Sequence, residues 1–333
     1  MKKMQIAVVP SESTNSYTAS MKRILGNLFV VSPFRFKHCL KIHDWALVRS
    51  YDAIILSWRD NAIVGHNGNV SYLGIVKYFS EILLLKLLVK RVIFVRHNKF
   101  PHHIKQKNIY RVMRIINWSE KLYDLVFIHS GTQDLEGRLY VPHPLYFRGL
   151  SDLEINVSRE SYYVVFGRVE RYKKIVELIS ELSSDLKLIV IGKCKDAVYK
   201  NEILASINGK NVELIDKFLS DEEASIIIRK SNGVVIAADS ADMIVSGSFF
   251  FSVSLGVPVY AIKSEFLEWL NSEHSFPGLY IYDSISSLAS SLNLGIGEDN
   301  NQKNITEAAQ LFFGDEVVLE KIKIAFEKTG IFF

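Results

Sequence analysis

Nine short runs of apolar, largely β-branched residues recur along the chain: Gln5–Val9, Ala53–Trp58, Val92–His97, Leu125–His129, Tyr162–Phe166, Leu186–Ile191, Gly233–Ala238, Val257–Ile262 and Leu279–Tyr282. They are apolar at consecutive positions, not alternate ones, so each predicts a strand buried on both faces of a parallel sheet. Segments with helical spacing separate them, among them Tyr72–Val89, Tyr110–Leu122, Ile175–Leu182, Asp221–Lys230 and Phe249–Leu255. Strand and helix in alternation predict open α/β sheets. One break interrupts the series, where Pro142, Pro144 and Gly149 precede a polar stretch from Ser151 to Ser161. Such a stretch reads as a linker between two α/β domains. The expected division is 1–150 and 151–310, with 311–333 a helix whose apolar face (Val318, Leu319, Ile322, Ile324, Phe326) packs back on the first domain. Ligands of such sheets sit beyond the carboxyl ends of the strands, in the cleft two such domains create.

The composition narrows the function. With 333 residues, 48% hydrophobic and 23% charged, the chain has room for two cores and is not disordered. Cys39 and Cys194 lie far apart and form no CxxC, which excludes a disulfide framework or zinc cluster and fits a reducing cytoplasm. The start reads as a first strand with no signal-peptide cleavage site. The longest apolar stretch, Ile75–Val89, is broken by Lys77, Glu81 and Lys86, so no membrane span is expected. Charge is divided: residues 1–150 hold 22 Lys+Arg against 9 Asp+Glu, and the remainder 18 against 27. The basic half favours an anionic partner. Lys86, Lys90, Arg91, Lys99, Lys105, Lys107, Arg111 and Arg114, interleaved with Phe100, Ile104 and Tyr110, suit an anionic membrane surface. No nucleic-acid-binding signature accompanies them.

Two segments of the second half carry anion chemistry. After the run Tyr162–Phe166 come Gly167-Arg168-Val169-Glu170-Arg171-Tyr172-Lys173-Lys174, where a glycine turn and cations precede a helix. A helix start offers unpaired N–H groups, and Arg168 and Lys173 can neutralise a diphosphate. Ser246-Gly247-Ser248 opens a second helix ahead of Gly256-Val257-Pro258-Val259, with hydroxyl residues placed as N-caps. A dinucleotide fingerprint and a Walker A loop are both absent.

Together, Phe166-Gly167-Arg168 through Lys173 and Ser246-Gly247-Ser248 through Gly256-Val257-Pro258-Val259 resemble the donor domain of GT-B glycosyltransferases, most nearly the family 4 enzymes of bacterial surface polysaccharide biosynthesis. The resemblance implies a GT-B fold with two Rossmann-like domains and donor contacts from Gly167, Arg168, Lys173, Ser246, Gly247 and Ser248. It further implies metal-independent sugar transfer without a cofactor, from a UDP- or GDP-linked donor to a hydroxyl of a lipid-linked glycan. The chain departs from the family at two positions eight apart that often hold glutamates, here Ile244 and Ser252; Asp239 and Asp242 are nearby carboxylates.

In the first half, Val92–Val95 runs into Arg96-His97-Asn98-Lys99-Phe100-Pro101-His102-His103, the densest polar cluster of the chain. Similar enzymes carry His-Asn and Pro-His here, which implies catalytic roles for His97 and Asn98 and a place at the cleft for His102. A histidine can bond a sugar hydroxyl or face a cationic carbon. The three histidines match no zinc spacing. Further strand-end candidates are Trp58, Asp60 as a base for the acceptor hydroxyl, and Asn15, whose loop also reads as an N-capped first helix. Val141-Pro142-His143-Pro144 resembles the interdomain segment, with His143 structural. The expectation is therefore a cytoplasmic glycosyltransferase on the inner face of the plasma membrane. A non-catalytic sugar- or phosphate-binding protein and a nucleotide-sugar epimerase of GT-B shape are the alternatives.

Overall fold

The structure is a computed structural model and describes residues 3–13, 15–101, 104–133, 137–148, 159–238, 243–295, 301–328 and 330. The chain forms two compact units, one of Met1–Pro144 with Ala241–Val245 and Asp315–Phe333, the other of Leu145–Ser240 with Ser246–Gly314. The division falls directly after Val141-Pro142-His143-Pro144, between Pro144 and Leu145, earlier than residue 150. Residues 311–313 stay with the second unit because Phe313 packs against Phe249, Phe250 and Phe276.

Among the described residues, the first unit holds a six-stranded parallel sheet of β1 (Gln5–Val9), β2 (Val30–Val31), β3 (Ala53–Ser57), β4 (Arg91–Arg96), β5 (Leu125–Ile128) and β6 (Arg138–Tyr140). Its order is β2-β1-β3-β4-β5-β6, with Val9 opposite Leu56 and Phe94 opposite Val126. Helices α1 (Ser16–Gly26), α2 (Trp45–Arg49), α3 (Tyr72–Leu88) and α4 (Ile109–Ser119) cover it. Successive strand residues point to opposite faces, and the sequence supplies both with apolar groups. Val9, Ile54, Leu56, Val92 and Phe94 pack with Tyr78, Ile82 and Leu85 of α3 and Val112 and Ile116 of α4. Val8, Ile55, Ile93, Val95 and Phe127 meet α1 on the other face, at roughly 1.5–3 kcal/mol for each fully buried aliphatic or Phe side chain.

The second unit holds β7 (Tyr163–Phe166), β8 (Leu188–Ile191), β9 (Val212–Ile215), β10 (Gly233–Ile236), β11 (Val259–Ile262) and β12 (Leu279–Tyr282), again six parallel strands among those described. Their order is β12-β11-β10-β7-β8-β9, the doubly wound Rossmann order. The helices are α5 (Ile175–Glu181), α6 (Ala197–Ser206), α7 (Asp221–Lys230), α8 (Gly247–Ser254), α9 (Glu265–His274), α10 (Ile285–Asn293) and α11 (Gln302–Phe313). After Gly314 the chain rejoins the first unit as α12 (Asp315–Lys328), which sets Val318, Ile322, Ala325 and Phe326 into the core beside α1, with Phe326 against Phe29 and Asp315 paired to Arg23.

Candidate functional site

The strand order of the second unit switches direction between β7 and β10, where an open α/β sheet leaves a crevice beyond its carboxyl ends. The turn leaving β7 stands at that point. Gly167 has φ +104°, a conformation that L side chains rarely adopt. Gly192, after β8, has φ +148°, and a Cβ there would lie 1.9 Å from the Gly167 carbonyl oxygen. Glycine at both positions lets the two turns touch, and Val169 bridges to Cys194 just beyond. The turn presents the Phe166 carbonyl, which accepts from Lys173 Nζ at 2.5 Å and from Ser248 Oγ at 3.0 Å. The glycine turn and the start of α8 therefore converge on one atom.

Lys173 is half-buried, with its ammonium held against the Phe166 carbonyl. Burial above all, and then the Arg168 charge, lowers its ammonium to about 8, with Glu170 opposing. An ammonium held there by a neutral carbonyl is a receptor for an anion. Arg168 is exposed and lies 3.2 Å from Glu170, while Arg171 is committed to Asp196 and Glu202.

Two expectations about helix starts need correction. The start of α5 is occupied: Lys174 precedes it in the left-handed region, and the Ile175 N–H donates to the Tyr199 hydroxyl at 3.1 Å. Ser246 holds the N-cap position of α8 but makes no side-chain cap bond, and Ser248 turns its hydroxyl to Phe166 instead. The first N–H groups of α8 thus lack the expected serine cap and keep the positive end of the helix available to an anion. Gly247 lies beside Tyr146, whose hydroxyl would sit 3.1 Å from any added Cβ. At the two positions eight apart, Ile244 is buried, and Ser252 is buried with its hydroxyl on the Val257 carbonyl, so neither offers a carboxylate. Asp239 and Asp242 lie outside the described residues.

In the first unit, the strand order switches between β1 and β3, and the aromatic and imidazole side chains that follow β3, β4 and β5 gather at that end of the sheet. Trp58, directly after β3, has φ +56°, an uncommon conformation for a bulky residue. Its ring stacks on His97 at 4.3 Å, and Tyr17 of α1 meets the same imidazole edge-on at 4.6 Å. Behind them, His129 donates Nδ1–H to the Val141 carbonyl at 2.8 Å, because a carbonyl can only accept. Its Nε2 therefore accepts from the Tyr17 hydroxyl at 3.1 Å. His143 donates Nδ1–H to the Pro144 carbonyl at 2.8 Å and packs against both Tyr17 and His129.

Burial is the main cause that keeps the three imidazoles neutral, taking His129 down to about 4 and His97 and His143 well below 6.5, with His129 adding repulsion on the other two. Among the described residues, His97 Nε2 is buried without a hydrogen-bond partner. An orphaned ring nitrogen beside two aromatic rings can accept from or donate to a ligand hydroxyl. Among the described residues, no three His, Cys, Asp or Glu side chains gather as a metal site.

Arg96, at the end of β4, shapes this loop. It is 4% exposed and ties Asn117 and Glu120 (2.7 and 2.6 Å) to the carbonyls of Asn98 and Lys99 (3.2 and 2.9 Å). Asn98 also forms an isolated antiparallel bridge with Met243.

Asn15 caps α1 by accepting from the Tyr17 N–H at 2.9 Å. Asp60 is buried, and its charge acts on Tyr78, Tyr123 and Arg96. His102 lies outside the described residues. Sequence reasoning missed His129 and Gly192, and gave Arg96 no role of its own. A histidine directly after β5, matching the one directly after β4, was the available signal.

No protein-family model matches the chain, and no curated protein matches it in sequence. Solved structures do match it along nearly the whole length. HepE from Anabaena, crystallised with UDP-glucose, aligns with a TM-score of 0.66 at 14% identity, over 98% of this chain and 100% of that one. A glycosyltransferase from Rickettsia africae gives 0.64 at 10%, over 99% of each chain. Sucrose-phosphate synthase from Thermosynechococcus elongatus gives 0.66 at 13%, over 98% and 99%. At these identities the likeness establishes the fold: the chain has the GT-B fold, with two Rossmann-like units.

Proposed function

We propose that the chain is a glycosyltransferase that takes a sugar from a nucleoside-diphosphate donor, and that the switch point of the second unit holds the diphosphate. The observation that carries this reading is the convergence of Lys173 Nζ and Ser248 Oγ on the Phe166 carbonyl, beside the start of α8. Breaking the bond between the anomeric carbon and its phosphate oxygen leaves the electron pair on the diphosphate. Charge therefore develops where a half-buried ammonium and the positive end of a helix can stabilise it. Arg168, exposed at the rim, adds a second cation, and Gly167 and Gly247 keep side chains out of the way. In the first unit, the orphaned Nε2 of His97 is assigned to a sugar hydroxyl, with Trp58 and Tyr17 holding the ring and Arg96 holding the Asn98 loop. That HepE was crystallised with UDP and with UDP-glucose favours a uridine donor. The finer reading is a hydroxyl of a lipid-linked glycan as acceptor, in surface polysaccharide synthesis at the inner face of the plasma membrane, with no metal or cofactor.

The test is thermal melting with UDP, GDP and free sugars, followed by nucleotide release from a panel of nucleotide sugars with and without a lipid-linked acceptor. Stabilisation of about 2.7 kcal/mol is expected from a nucleoside diphosphate at a hundred times its Kd. Stabilisation by free sugars alone, with no nucleotide released from any donor, would point to a sugar-binding protein instead.

A further inference from the structure

Helix α3 is apolar around most of its circumference, yet only one side of it meets the sheet. Tyr78, Ile82, Leu85 and Leu88 are buried, whereas Leu73 is 85% exposed and Leu87 78% exposed, with Val76 and Leu83 between them also in solvent. A helix with this pattern ordinarily has a second partner on its outer face. Its neighbour α4 extends the surface. Arg111 reaches the Tyr72 hydroxyl at 3.2 Å, and Trp118, itself exposed, meets Phe79 edge-on at 5.3 Å.

Charge says what the partner is. The acidic groups in and just after these helices are paired: Glu81 with Arg59, Glu120 with Arg96 and Arg138, and Asp124 with Lys86. Lys77, Lys107, Arg111, Arg114 and Lys121 are exposed or half-buried, and Tyr110 lies in solvent among them. Aliphatic side chains, a tryptophan, tyrosines and uncompensated cations on one face match the layers of an anionic bilayer surface, from acyl boundary to headgroup.

We propose that the outer face of α3 and α4 docks on an anionic lipid bilayer, with Leu73, Val76, Leu83 and Leu87 entering the acyl boundary and Lys77, Arg111 and Arg114 meeting lipid phosphates. This deepens the membrane part of the reading above and locates it. The surface differs from the one the sequence suggested: Lys86 and Lys90 are held by Asp124 and Asp52, and Phe100 is buried. The leucines of α3 supply the apolar part instead. Lys105 N–H donates to the Gly68 carbonyl at 2.9 Å, which ties the segments leading into α3 and α4 together at the carboxyl end of the sheet.

The experiment is co-sedimentation of the full chain with vesicles of phosphatidylcholine alone and of phosphatidylcholine with 30% phosphatidylglycerol, at low and high salt. Wild type is expected to pellet with the anionic vesicles and to release as salt rises. L73E/L87E and K77E/R114E should each lose at least tenfold in vesicle partitioning while keeping wild-type melting temperature and UDP binding. Wild-type partitioning in both variants would overturn the face and leave membrane binding elsewhere. No binding by wild type would overturn both, with the donor reading still judged by UDP. A wild-type dimer that L73E/L87E converts to monomer would make the face a contact between copies and overturn the proposal.

Discussion

Lys173 brings a charge to a place that only an anion makes comfortable, and this gives it a pH signature. In the free protein its ammonium titrates at about 8, while a bound diphosphate would hold it charged. Above that pH, binding must take up a proton, so the Kd for UDP should rise up to tenfold per pH unit. Calorimetry at pH 7, 8 and 9 reads this directly; Lys173→Met should bind at least tenfold more weakly with a flat profile, and Lys173→Ala should lose most turnover. His97 has the opposite interest. Like His129 and His143, it titrates below its ordinary value of 6.5, so the unfolded chain binds more protons than the folded one below that pH. Stability is full above about 6.5 and falls as pH drops, by up to ~1.4 kcal/mol per unit per group. Urea unfolding at pH 7, 6 and 5 should show this slope. His97→Phe, which keeps a ring against Trp58, should lower the slope by one group's share while His129 and His143 keep theirs, gain stability at pH 5 and lose transfer activity. At this scale the sequence showed which residue types lie after strands, and so marked His97, Gly167 and Lys173. It could not show that Tyr199 closes the start of α5 or that Trp58 lies on His97, because those contacts join residues 24 and 39 positions apart.

The elements were legible in proportion to their burial. Every central strand appears among the apolar runs, because a strand covered on both faces needs consecutive apolar residues. The strands that escaped notice are β2, β6 and β9, all at sheet edges, where one side is solvated and the apolar run is lost. The close approach of the turns after β7 and β8 was equally hidden, since it depends on register. It supports a test: Gly192→Ala places a methyl into the Gly167 carbonyl at a left-handed φ, and should cost about 3 kcal/mol by urea unfolding and weaken UDP binding. Helix α12 supplies another. Phe326 is fully buried between α1 and the sheet, so Phe326→Ala should cost about 3–5 kcal/mol of first-unit stability.

For the molecule as a whole, the two units have their own sheets and their own cores, so calorimetry should resolve a transition for each and assign the UDP-induced shift to the second. A shift confined to the first transition would move the donor site. The prolines and the polar stretch revealed that the chain divides, but the placement of Met243–Val245 with the first unit left no local trace, because it arises from pairing across 145 positions. The return of α12 is different, since its apolar stripe announced a helix in need of a core. That return also orders events at the ribosome. Arg23 and Asp315 are 292 positions apart, so α1 must wait through nearly all of synthesis before the helix that completes its packing emerges. The second unit, with its whole sheet encoded between 163 and 282, can close first, and a nascent chain halted before α12 would carry a finished second unit and an open, aggregation-prone first one.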